Sequence, residues 1–351
     1  MTTNVVGPRI GLLFPARDAG RGGMGLDIAR HSPAARALLE QASAVLGFDV
    51  AACCRDGGDE ELKNGPRAMV CIMAVSLACY RALRERGWDG VAAAGFSQGE
   101  FTALAATDAL AIADALPLVY QLEGLVQRVP GLDEGRMARI MGLDVAEVEA
   151  ACREAAAATG QHVAVAIYIS DDQCLISGQA SAVEAARRAA KQRGADLAFA
   201  LPALGAFHSP LLASAAAQSA PLLARLDFHD ARLPLAQCAT GRLAQAASAV
   251  QSAVGAQLSS PVRWREVVRC LLGLGVDVLV ELGPGQTVSA NTRLVAPHVP
   301  RLHVEDGQSL DEACLGLESL AAERRAAAGA APAAETPAGG APAGGKGGMG
   351  R

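Results

Sequence analysis

Short apolar runs, Ile10–Phe14, Val91–Ala94 and Val276–Val280, alternate along the chain with Ala-rich stretches whose apolar positions recur every three to four residues, as in Ala35–Leu46, Ala68–Arg84 and Glu100–Ala106. The first pattern predicts strands buried on both faces, the second amphipathic helices. Strands that alternate with helices must be joined by crossovers. The expected architecture is therefore α/β, a parallel sheet covered by helices on both sides.

One window has a different order. Arg136–Met141 reads as a strand and Val145–Ala158 as a helix, followed by strands at His162–Ile169 and Gln173–Ser177, a helix at Ala180–Arg193 and a strand at Asp196–Leu201. The order β-α-β-β-α-β is that of a ferredoxin-like unit. The chain then divides into a discontinuous α/β core over residues 1–134 and 203–325 and an inserted subdomain over 135–202. From Ala326 onward the composition turns to Ala, Gly and Pro, which buries too little apolar surface to offset chain entropy, so 326–351 is expected to be a disordered tail.

Composition narrows the function. With 351 residues and 51% apolar content the chain can bury a large core. A net charge of −5 without a basic block excludes an electrostatic nucleic-acid footprint. No apolar run approaches the twenty or so residues of a membrane span, and the N-terminus lacks the features of a signal peptide, so a cytoplasmic protein with no membrane partner is expected. The nine cysteines form no C-x-x-C pair and read as small buried hydrophobes, with no metal site.

Gly95-Phe96-Ser97-Gln98-Gly99 satisfies G-x-S-x-G, a pattern that chance supplies readily in a chain with 38 glycines. Its context is what carries weight. A strand runs in and a helix runs out, the arrangement of a nucleophile elbow, in which two glycines allow close packing and the turn projects the serine hydroxyl. The N–H of Gln98, at the helix N-terminus, lies where an oxyanion would form. A serine needs a base to take its proton. Of six histidines, His31 and His229 sit among polar residues, His298 and His303 flank a proline stretch, and His162 starts a strand. His208 lies in Gly205-Ala-Phe-His-Ser-Pro210, a loop leaving the inserted unit. A loop histidine can equally be structural, and spacing alone does not choose.

With GFSQGE and GAFHSP both present, the chain resembles the malonyl-CoA:acyl-carrier-protein transacylases and the acyltransferase domains of polyketide synthases, as a divergent member. Phe14-Pro15 followed by Gly23-Met24, Gln257-Leu-Ser-Ser-Pro-Val-Arg-Trp264 and Glu281-Leu-Gly-Pro-Gly285 add to the likeness, which runs from about Arg9 to Leu320. The resemblance implies an α/β-hydrolase-like core with a ferredoxin-like insertion. It makes Ser97 the nucleophile, His208 the general base and then acid, and a backbone carbonyl near Ser260 the group that orients the imidazole. The backbone N–H groups of Gln98 and Arg17 would receive the oxyanion. The acyl group would pass from acyl-CoA through Ser97 to the phosphopantetheine thiol of an acyl carrier protein, with both thioesters as substrates and no further cofactor, and the enzyme is expected to be a monomer.

The departures from the family fall on the groups that choose the acyl chain. The usual Gly/Gln-rich loop after Phe-Pro is Ala16-Arg17-Asp18-Ala19-Gly20 here. Leu122 stands where relatives carry the arginine that clamps a malonyl carboxylate, so malonyl is disfavoured unless Arg17, Arg128 or Arg139 reaches in. Met69 and Ile169 replace two polar pocket residues and Phe96 a frequent histidine, giving an apolar pocket of Met69, Phe96, Leu122, Ile169 and Phe207. Trp264 reads as core packing. The basic residues Arg187, Arg188, Lys191 and Arg193, with Arg263 and Arg265, are candidates for docking an acidic carrier protein. An acyl hydrolase that clears carrier proteins, and a carrier-binding scaffold without activity, stay open beside the transferase.

Overall fold

The computed structural model describes residues 7–59, 61–202 and 205–330. Two sheets organise it. The larger has six strands in the order β10-β9-β1-β2-β7-β8, where β1 is Ile10–Phe14, β2 Ala92–Gly95, β7 Leu235–Gln237, β8 Arg242–Ala244, β9 Val278–Leu282 and β10 Arg301–Val304. Its first five strands are parallel, with Phe14 opposite Gly95, so the loops after β1 and β2 emerge side by side at the carboxyl edge, where open α/β sheets bind ligands. The sixth departs from the expected all-parallel pattern. β7 and β8 are linked by only Cys238–Gly241, too short for a crossover, and the chain returns antiparallel.

Strand β9 begins two residues later than the apolar run suggested. Residues 276 and 277 form its lead-in, where the Asp277 carboxylate accepts a hydrogen bond from the Arg9 N–H. Beneath the sheet lies the helix Gly65–Glu85, longer and more apolar than the sequence reading allowed. By length and composition it could cross a membrane, but 83% of its most apolar window is buried inside the fold. A helix apolar on all sides is also what the centre of a large core requires.

The second sheet comprises β3 (Gly135–Met141), β4 (Val163–Tyr168), β5 (Gln173–Gln179) and β6 (Leu197–Ala200) in the antiparallel order β4-β5-β3-β6. With the helices Val145–Thr159 and Ala180–Gln192 it encloses a core of its own around Ile140, Val148, Cys152, Ile176 and Val183. This is the ferredoxin-like order. Main-chain bonds from Tyr168 N–H to the Val262 carbonyl, and from Val262 N–H to the Ala166 carbonyl, stitch it to the larger unit at 2.8 Å each. The last helix runs Gly307–Ala330, past the expected start of the tail at Ala326, because the intervening alanines are strong helix formers. The rest of the expected tail lies outside the described residues.

Candidate active site

The site begins with two glycines. A Cβ on Gly95 would lie 1.9 Å from the Gly99 carbonyl carbon, and one on Gly99 would lie 2.3 Å from the Phe14 carbonyl oxygen. Only residues without a side chain let β2 turn directly into the helix Gly99–Ala106 while that helix rests against the end of β1. The turn places Ser97 in the left-handed region at φ +52°. His208 shares this property at φ +54°, and apart from Asp108 no other non-glycine among the described residues does. Such a backbone costs on the order of 1–3 kcal/mol per residue and persists where the surroundings enforce it.

The two strained residues meet. Ser97 Oγ lies 2.6 Å from His208 Nε2. On the other side of the ring, Nδ1 lies 3.3 Å from the Gln257 carbonyl oxygen. A carbonyl can only accept, so the proton belongs on Nδ1 and the Nε2 lone pair faces the serine. The expected orienting group was the Ser260 carbonyl. That group also favours the protonated ring, but the hydrogen bond within reach is to Gln257, the last residue of the helix Ala247–Gln257. A carbonyl at a helix C-terminus has no partner within its own helix and is free to serve the imidazole. Burial, reinforced by the positive charge of Arg17, pushes the His208 pKa down to about 4 against the two carbonyls, so the ring is neutral at physiological pH.

Gln257 acts with both ends. Its side-chain Nε2 donates to the Ser97 carbonyl at 2.5 Å and to Glu100 Oε2 at 3.1 Å. One residue therefore holds the main chain of Ser97 and the ring of His208. Glu100 is buried, and its carboxyl is pushed up to about 7 by desolvation. Gln257 opens the family-like segment 257–264, whose resemblance alone gives it no role at the site. Nothing in the local sequence, which also carries Gln245 and Gln251, singles it out.

Arg17 leaves a short turn after β1, and its guanidinium donates to the buried Glu123 carboxylate at 2.7 Å. Gln98 Nε2 donates to the same Glu123 oxygen at 2.8 Å. The Arg17 guanidinium also lies 4.8 Å from the Phe207 ring centroid, a cation–π contact. A narrow cavity opens between Arg17, Gln98 and the apolar side chains of Met69, Ile72, Met73 and Val119.

The five expected pocket residues therefore separate. Met69 lines this cavity and Phe207 lies against Arg17. Phe96 packs edge-on against Trp264, with ring centroids 5.1 Å apart, and both belong to a separate core cluster that includes Ile169. Leu122 faces the main core. Glu123, four residues after the cavity-lining Val119, reaches Arg17 and Gln98 at the cavity wall, whereas Leu122 is buried and is not among the residues that line the cavity. Of the arginines considered as replacements for the clamp, Arg128 is exposed and Arg139 bonds to Gln173, whereas Arg17 is in place. Trp264 is fully buried, as core packing requires.

The candidate docking residues are largely spoken for. Arg187 and Arg188 pair with Glu184, Lys191 donates to the Ala195 and Asp196 carbonyls, Arg193 bridges Glu147 and Glu154, and Arg265 pairs with Asp171 and Glu266. The carboxylates cancel much of the basic character that the helix shows in sequence. Arg263 lies over the Tyr168 ring.

Fold and site together define the class of the acyl transferases, and comparison with known proteins agrees. The model of the acyl transferase domain family matches residues 13–298. The malonyl CoA-acyl carrier protein transacylase of Escherichia coli K12 is 33% identical over 284 residues, covering 81% of this chain and 91% of the relative. The acyl carrier protein S-malonyltransferase structure from Vibrio cholerae superposes with a TM-score of 0.83 at 31% identity, over 87% of this chain and 99% of that one. A malonyl-transacylase solved in complex with a type II polyketide acyl-carrier protein gives the same TM-score and identity over 88% and 99%. The chain belongs to the acyl transferase family of the malonyl-CoA:acyl-carrier-protein transacylases.

Proposed function

We propose that the protein moves an acyl group from coenzyme A to the phosphopantetheine thiol of an acyl carrier protein through an ester on Ser97. The observation that carries this reading is the 2.6 Å approach of Ser97 Oγ to the unprotonated Nε2 of a neutral His208. As Oγ attacks the thioester carbonyl, Nε2 takes its proton, and the imidazolium is held by the Gln257 carbonyl and the negative end of that helix. The oxyanion is received by the N–H of Gln98, at the start of the helix Gly99–Ala106, and by that of Arg17 from the neighbouring loop. Collapse breaks the C–S bond and the imidazolium returns its proton to the departing thiolate. In the second half the carrier thiol gives its proton to Nε2, its sulfur attacks the ester, and Ser97 Oγ leaves with the proton restored.

Intact-mass measurement after exposure to a panel of acyl-CoAs tests this. An acyl adduct that is absent in Ser97→Ala, slow to decay in water and rapidly lost to holo-carrier protein is the expected result. Rapid decay in water alone would make the protein a hydrolase, and failure to form an adduct with any donor would leave only a binding role.

A further inference from the structure

The acyltransferase reading leaves open which acyl group the site takes, and the charges beside Ser97 bear on it directly. Among the described residues the guanidinium of Arg17 is the one cationic side chain lining the cavity next to Gln98, and its charge is already matched. Glu123, 1% exposed, accepts from Arg17 and from Gln98 through the same oxygen. Phe207 lies against the guanidinium as well. The rest of the lining is apolar apart from Thr102. The cavity left is about 10 Å³, room for no more than a water molecule, so an acyl chain lodged here would have to displace flexible side chains such as Met69 and Met73.

We propose that Glu123 determines acyl specificity: by holding Arg17 in a neutral pair it reserves the pocket for uncharged acyl groups and excludes carboxylated ones. A carboxylated acyl group entering here would place a second carboxylate on a guanidinium already engaged, leaving a net negative charge beside the buried Glu123. An uncharged acyl group meets no such opposition. It lies against methionine, isoleucine and valine side chains while the ion pair stays closed. The position of Glu123 is essential to this, since it is the residue of its helix that bonds both Arg17 and Gln98.

The proposal rests on the acyltransferase reading, and one experiment separates the two. The rate of acylation of Ser97 is measured with acetyl-CoA and malonyl-CoA in the wild type, in Glu123→Gln and in Arg17→Met/Glu123→Gln. Glutamine keeps the shape and an acceptor oxygen for Gln98 and Arg17 while removing the charge. The wild type is expected to favour acetyl. Glu123→Gln should shift the malonyl-to-acetyl ratio toward malonyl by about tenfold or more, the worth of a charge-assisted carboxylate contact, and the added Arg17→Met should reverse that gain. A wild type that prefers malonyl, or a ratio unmoved by Glu123→Gln, overturns the proposal while leaving the acyltransferase reading intact. The wild-type preference decides even if the variants fail to fold. No adduct from any donor would overturn both.

Discussion

Adding one methyl group at Gly99 tests whether the elbow geometry governs the chemistry. A Cβ there would lie 2.3 Å from the Phe14 carbonyl oxygen and 2.6 Å from that of Pro15, both main-chain atoms of β1 and its exit loop. Ordinary contact would require the helix Gly99–Ala106 to retreat from β1 by about 1 Å. Ser97 lies in the turn that leads directly into that helix, so its hydroxyl moves too, and the 2.6 Å approach to His208 Nε2 lengthens beyond hydrogen-bond range. Displacement on this scale is worth about a hundredfold in rate. The overlap itself should cost about 1–3 kcal/mol of stability. The assay is the rate of Ser97 acylation by mass spectrometry, with thermal unfolding measured alongside. Gly273→Ala is the control, because a Cβ at that position meets nothing within 4 Å. Gly99→Ala with a wild-type acylation rate and unchanged unfolding temperature would show that the close approach is not needed, and the account of the elbow would be wrong.

Two further predictions concern titration. Because His208 is held at about 4, acylation measured in a Glu100→Gln background should stay level from pH 8 down to about 5.5, where a histidine with an ordinary pKa near 6.5 would be about nine-tenths protonated; loss of half the rate near pH 6.5 would contradict the desolvated ring. The neutral imidazole also contributes stability that is complete above pH 6.5 and is lost as pH falls from there through about 4. Glu100 has the opposite sign. Its pKa is raised from 4.5 to about 7, so its contribution is fully present below pH 4.5 and fades as pH rises through 7. Denaturant unfolding of Glu100→Gln should therefore gain on the wild type between pH 5 and pH 8, and an equal offset at both pH values would refute the assignment.

Much of the fold was legible because its signals are local. The alternation of period-two and period-3.6 apolar patterns placed β1, β2, β9 and the four strands of the smaller sheet within two residues but missed the short β7, β8 and β10, and the β-α-β-β-α-β order named the second unit. The misreadings also have local causes. A helix boundary inside an alanine run, as at Ala326, has no stop signal, and the β7–β8 reversal depends on a four-residue loop whose strands are only three residues long. At the site, the strand–turn–helix context singled out Ser97, while His208 was one loop histidine among several until the family likeness chose it. The pocket was the least legible part. Which residue of the helix Ile112–Gln127 meets Arg17 and Gln98 depends on how that helix packs, and linear spacing does not report it.

By itself the sequence determined the α/β class, the inserted ferredoxin-like order and the elbow, since glycines at 95 and 99 around a serine admit few backbones. Only the tertiary structure decided that Ser97, His208 and Gln257, drawn from segments more than a hundred residues apart in the first case and forty-nine in the second, share hydrogen bonds, and that Arg17 is answered by Glu123. Pairings of this kind depend on how separate elements pack and on which polar groups that packing strips of water. Those quantities arise only once the chain has closed on itself.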